Sequence, residues 1–243
     1  MSTKHPAVRV MRRHFLKSLA AGALVGVGFG GLIQQALAAG SGPKRKQGIY
    51  KLEGEATFNG KTLKVGDVPT LPLTVITGAN TVLVFVIGAD AYLVRANSHL
   101  TLAASDAKMP NRADSIKLLS GKLLSVFEKG TRSLTTTTAV AGIRGTGIYL
   151  ESELERSYLC LCYGKAKLGP INAPQLHEDV STSHHESPRW VYPDRMEAAK
   201  MINHEDEELI LLESLTGRVP PFTTQWGYGY GDGVLSDLSK KRY

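Results

Sequence analysis

Cys160 and Cys162 are the only two cysteines in 243 residues. They stand one residue apart in the apolar run Tyr158 to Tyr163, and the two-residue alternation of a strand puts both thiols on one face. Their Cα atoms would then lie about 6.5–7 Å apart, at or beyond the comfortable limit for a disulfide. Two thiolates on one face can instead chelate a soft or borderline ion. Four histidines downstream, His177, His184, His185 and His204, can complete its ligands, and we take His184, His185 and His204 as the candidates. The implied cofactor is a transition-metal ion: zinc, copper or iron. Two other readings stay open: small buried apolar groups beside solvated histidines, or a thiol redox pair.

Arg144 is the second residue with chemistry to offer. Gly142 and Gly145 flank it and permit a tight bend, so its guanidinium can reach backbone carbonyls or a carboxylate as a corner brace. On that preferred reading, Arg144→Lys lowers the melting temperature. The other reading gives the bidentate fork to an anionic ligand, a carboxylate or phosphate.

Familiar catalytic signatures are missing: there is no His-Glu-x-x-His, Gly-x-Ser-x-Gly, Walker-type loop or Cys-x-x-Cys-His. Gly26-x-Gly28-x-x-Gly31 matches the dinucleotide-binding pattern by letter, but it lies in an apolar leader with no strand before it. A non-enzymatic role is expected. The formal charge of +7 does not indicate nucleic acid either. Lys4, Arg9, Arg12, Arg13 and Lys17 fall in the first 38 residues, which carry no acid, and without them 24 basic residues face 22 acidic ones.

That leader has a charged start, an apolar stretch over Leu19 to Leu32 and a small-x-small cleavage site at Ala36-Leu37-Ala38. Arg12-Arg13-His14-Phe15-Leu16-Lys17 resembles the twin-arginine export consensus, with Arg12, Arg13, Phe15 and Leu16 at its defining positions. The resemblance implies export of an already folded chain by the twin-arginine (Tat) translocase, to the periplasm or outside the cell. Membrane attachment would come only through an uncleaved leader.

The elements that must position the thiols and Arg144 are short strands. After a linker at 39–47, runs rich in Val, Leu, Ile and Thr recur every 8 to 10 residues, with Asn59-Gly60, Gly78-Ala79-Asn80, Gly88-Ala89-Asp90 and Asn97-Ser98 between them. This predicts an all-β fold over 48–169, a β-roll or solenoid-like sandwich of short strands. Residues 170–243 read as a His-bearing loop, a small C-terminal helical segment and an aromatic-glycine tail around Trp226, Tyr228 and Tyr230. In the helical part, Asn203 is the expected cap, Glu205 to Glu208 suit the N-terminal end, and Leu209, Leu212 and Leu215 form an apolar stripe. A shorter helix over 194–201 completes an expected hairpin.

Val75 to Gly78, Tyr92 to Leu102, Gly121 to Leu123 and above all Thr138-Ala139 followed by Ile143-Arg144-Gly145-Thr146 resemble the FecR domain. The resemblance covers roughly residues 48–168. It implies an extracytoplasmic binding or sensing module that meets a cell-envelope protein or a small ligand. The Tat leader and the short tail depart from the family's best-known members, which puts iron-citrate signalling in doubt.

Overall fold

In the computed structural model, residues 46–106 and 108–225 are described. The leader with Arg12, Arg13, Phe15 and Leu16, the linker before Lys46 and the tail from Trp226 onward lie outside the described residues. The described chain is all-β with a small helical segment at its C-terminal end. Its strands are β1 Gly48–Glu53, β2 Ala56–Phe58, β3 Lys61–Thr62, β4 Leu73–Thr77, β5 Val82–Ile87, β6 Asp90–Val94, β7 His99–Ala103, β8 Ser115–Val126, β9 Thr131–Thr135, β10 Ala139–Ser152 and β11 Ser157–Pro170. β12 Glu178–Thr182, β13 Arg189–Val191 and β14 Met196–Ala198 follow, then helices α1 Asp206–Leu215 and α2 Pro221–Gln225.

Three strands are longer than the sequence suggests, and each bends at a glycine. β8, β10 and β11 run through Gly121 (φ 87°), Gly145 (φ 62°) and Gly164 (φ 103°), where the alternation breaks and the pattern reads as two short strands. A side chain at Gly121 would put its Cβ 2.2 Å from the Ser98 hydroxyl, so the corner is closed to anything larger. Each long strand thereby serves two ladders. The first half of β8 pairs with β7 and, in parallel, with β9, while its second half pairs with β6 and β10. Likewise, β11 follows β10 along its length but meets β13 with its first residues and β12 after the bend.

Two layers result, enclosing a core of Phe58, Val75, Phe85, Tyr92, Leu102, Ile116, Leu134 and Ile143. The layer of β5, β6 and the second half of β8 is also covered on its outer side, where Val84, Val86, Leu93 and Val126 meet Leu209, Leu212, Leu215 and Phe222. Burial on both faces explains why β5 reads Val-Leu-Val-Phe-Val-Ile without alternation.

At the tail, the expected helix over 194–201 is instead strand β14, paired with β13. The helical hairpin therefore does not form, and 178–198 adds strands to the sheet. Helix α1 forms where its leucines predict, but its cap is Glu205, joined to Glu208 in a reciprocal capping box. Asn203 takes a left-handed φ of 57° and donates from Nδ2 to Glu151 at 2.8 Å. Its side chain is thus committed to the sheet and cannot cap.

Candidate metal centre

Cys160 and Cys162 project from β11 on its outer face, between the sheet and α1, and both are fully buried. Their neighbours come from two later segments. His185 follows β12, and its backbone N–H donates to the Cys162 carbonyl at 3.0 Å, which fixes the loop against β11. A left-handed φ of 57° at His185 turns this ring inward, to 6% side-chain exposure, while His184 stays more open at 29%. His204 precedes α1 and stacks on Tyr149 at 4.4 Å; Tyr149 is the cross-strand partner of Cys160. Tyr158 holds the same segment by donating to the Lys200 carbonyl at 2.9 Å and accepting from the Ile202 N–H at 3.2 Å.

One ligand atom from each of Cys160, Cys162, His185 and His204 falls within 4.8 Å of the others. His185 Nδ1 lies 3.3 Å from Cys160 Sγ and 3.1 Å from His204 Nε2. In a tetrahedral zinc site, bonds of about 2.0–2.3 Å place neighbouring ligand atoms about 3.3–3.8 Å apart, so these two edges are close to the required size.

The outer partners orient the rings. His204 Nδ1 is 2.7 Å from the Ile202 carbonyl, which can only accept, so this nitrogen carries the proton and Nε2 keeps its lone pair. His185 Nε2 lies 3.1 Å from an Asp206 oxygen, so it donates there and its neutral ring turns the Nδ1 lone pair inward. Two imidazole lone pairs thus face each other beside two sulfurs. Only a proton or a metal cation reconciles them.

Titration follows this arrangement. The hydrogen bond from Cys162 is the largest influence lowering the Cys160 pKa, with His185 and His204 adding to it against burial. Burial first, then the neighbouring Cys160, raises Cys162 well above the ordinary thiol range. For His185, burial acts downward, but Asp206 and Cys160 outweigh it and raise the ring to about 9. Without a metal, a proton on His185 therefore stands where the cation would. Asp206 is lowered by His185 and His184 despite its burial.

His184 lies outside this tetrad, with Nε2 2.9 Å from each Asp206 oxygen. His177 is elsewhere, its Nε2 3.0 Å from the Pro170 carbonyl. In the Ile-Arg-Gly-Thr element, Ile143 and Thr146 are buried and Gly145 forms the bend. Arg144 is exposed and makes no hydrogen bond or ion pair among the described residues. The corner-brace reading of Arg144 is therefore corrected.

Arg132 has the role expected of Arg144. It grips Asp90 with Nη2 at 2.8 and 2.9 Å from the two carboxylate oxygens and Nε at 3.1 Å. The signal was present: in Thr131-Arg132-Ser133-Leu134, alternation places Arg132 on the inward face with Leu134, where a cation needs a buried partner. Arg144→Ala should accordingly shift the melting temperature by under about 2 °C, within the ordinary range for a surface change. A drop above about 5 °C in a thermal melt would restore the structural role.

No protein-family model matches the chain, and no curated protein matches it. Two crystal structures of a protein assigned as an anti-sigma factor from Parabacteroides distasonis are similar to it, each with a TM-score of 0.41 and 8% identity over 63% of this chain. The chain spans a little under two thirds of their length, 64% of one and 63% of the other.

Proposed function

We propose that this chain is an exported, non-enzymatic binding and sensing module of the cell envelope, built around one tetrahedral zinc ion held by Cys160, Cys162, His185 and His204. The observation that carries the metal reading is the convergence of four donors from three chain segments within 4.8 Å. Two thiolates and two neutral imidazoles suit a borderline-soft ion with no geometric preference of its own, which favours zinc over copper or iron. The two thiolate charges balance Zn²⁺, so a buried site gains no net charge. Asp206 on His185 and the Ile202 carbonyl on His204 supply the outer contacts such rings need.

A closed set of four protein ligands leaves no position for water or substrate, which supports a structural rather than catalytic ion. The role in the envelope rests on the sequence: the twin-arginine leader for periplasmic or secreted location, and the FecR-like Ile143 to Thr146 element for binding a protein partner or a small ligand. One experiment tests both. Full-length protein is expressed in a bacterium with a Tat system, fractionated and analysed for metals without chelators. The periplasmic pool should hold about one zinc per chain, and Cys160→Ser less than about a tenth of that. Arg12→Lys with Arg13→Lys should hold the chain in the cytosol. Metal-free periplasmic protein would refute the zinc site, and unchanged fractionation would refute the export route.

A further inference from the structure

His185 offers the tetrad only its Nδ1. The other nitrogen of the ring, Nε2, lies 3.1 Å from Asp206 Oδ1, and His184 Nε2 stands 2.9 Å from each oxygen of that carboxylate. One ligand atom from each of His184, His185 and Asp206 falls within 4.8 Å of the others, which makes a second convergent set beside the first. A tetrahedral ion with bonds of about 2.0–2.2 Å holds neighbouring nitrogen and oxygen ligands about 3.3–3.5 Å apart, so the carboxylate edges need only open slightly to admit one.

The trio is braced from outside. The Glu186 carboxylate accepts from the backbone N–H groups of Ser183 at 2.8 Å and His184 at 2.9 Å, and from the Ser183 hydroxyl, which ties off the loop after β12. The His184 ring lies on Phe222 of α2 with centroids 4.6 Å apart, and Asp206 is the first residue of α1. Orienting His185 takes one carboxylate oxygen, so the second imidazole on the same group goes beyond what the tetrad needs. Unlike the tetrad, the trio is partly open, with His184 at 29% and Asp206 at 25% side-chain exposure. Three protein ligands with an open side leave a position for water and for exchange.

We propose that His184, Asp206 and Nε2 of His185 form a second, exchangeable site for a divalent transition-metal ion, joined to the inner zinc through the His185 ring. On binding, the ion takes the place of the proton that His185 Nε2 holds against Asp206. That proton leaves to solvent, and the ring becomes an imidazolate with one ion on each nitrogen. His184 binds through Nε2 with its proton on Nδ1. Charge balances at both positions: two thiolates face the inner ion, and the Asp206 carboxylate with the shared imidazolate faces the outer one. The inner ion holds the fold, and the outer one comes and goes with its free concentration, which names a free divalent transition ion as the small ligand of the sensing module. The outer site rests on the zinc tetrad of the proposed function, because His185 is common to both.

Equilibrium dialysis of the full chain against zinc, with elemental analysis, tests it. Wild type should hold about two zinc ions per chain at about 100 μM free zinc and about one after return to zinc-free buffer, the outer ion having a Kd at or below about 10 μM. His184→Ala, and Asp206→Asn, which keeps an acceptor for His185 but offers a poor ligand, should each hold about one under both conditions. Wild type that takes up one ion, with both variants keeping it, overturns the outer site and leaves the tetrad standing. A chain that holds none overturns the tetrad and the outer site with it. Two ions in either variant would put the second ion elsewhere and overturn the proposal, as would a single wild-type ion lost in His184→Ala. With cobalt(II) at both positions, the shared ring should couple the two ions and lower the EPR intensity per cobalt below that of singly loaded His184→Ala. Equal intensity per ion would overturn the bridge.

Discussion

Cys162→Ser is expected to leave the sandwich folded, to empty the metal site, and to loosen residues 183–187 and 203–207 at the outer sheet face. The serine is nearly isosteric but does not offer a thiolate, so one of four ligands is lost. The remaining three leave a buried Cys160 with too few partners for the ion. Metals bound only by the folded state stabilise it by mass action, about 2.7 kcal/mol where free ion exceeds Kd a hundredfold, and apparent values for structural zinc in small peptides reach about 10–16 kcal/mol. Here the effect should be local, because His185 and His204 tie only the post-β12 loop and the entry to α1 to the sheet. Hydrogen exchange reads it directly: amides of 183–187 and 203–207 should exchange at least about a hundredfold faster in Cys162→Ser, while those of β5, β6 and β8 hold their protection. Unchanged protection in a metal-free variant would mean that the tetrad is packing alone.

The second large effect lies at the buried Asp90–Arg132 pair. Asp90→Asn should lower stability by about 3–5 kcal/mol, the range for removing one partner of a buried ion pair, and the melting temperature by about 6–20 °C at 2–4 °C per kcal/mol. Both side chains are nearly inaccessible, 2% for Asp90 and 1% for Arg132. Asn would leave a guanidinium buried without a counter-charge and weaken the acceptor that also takes the Glu128 N–H at 2.8 Å. Burial nevertheless raises the Asp90 carboxyl pKa above the ordinary range despite Arg132, so dehydration offsets much of the pair's attraction. The double replacement Asp90→Leu with Arg132→Met should therefore cost less than Asp90→Asn alone. Equal thermal melts for wild type and Asp90→Asn would contradict the buried-pair account.

Strand positions were legible wherever alternation and turn chemistry agreed. Leu73–Thr77 and His99–Ala103 have the bounds their patterns predict, and Asn59 and Gly60 take the left-handed angles of a tight turn. Legibility stopped where tertiary pairing overrode local pattern. Met196–Ala198 carries no strand signal of its own and is extended because β13 offers it an edge. The bent strands looked like pairs of short ones because a glycine marks a turn and a corner alike. For the metal centre, the two-residue period alone placed both cysteines on one face. The choice between adjacent His184 and His185 depends on one left-handed backbone angle, for which nothing in the sequence speaks. Arg144 drew attention by its glycine neighbours, whereas Arg132 was visible only as a charge on an inward position.

The four donors span residues 160 to 204, with His185 brought to the cysteines after β12 pairs with β11 and His204 by the segment held on Tyr158. The binding site is thus complete only when the chain through His204 has been made and has folded against β11. On the proposed zinc and export reading, ion capture is a closing event of maturation, and a carrier that moves finished cargo would take aboard a zinc atom drawn from the cytoplasmic pool and not from the destination compartment.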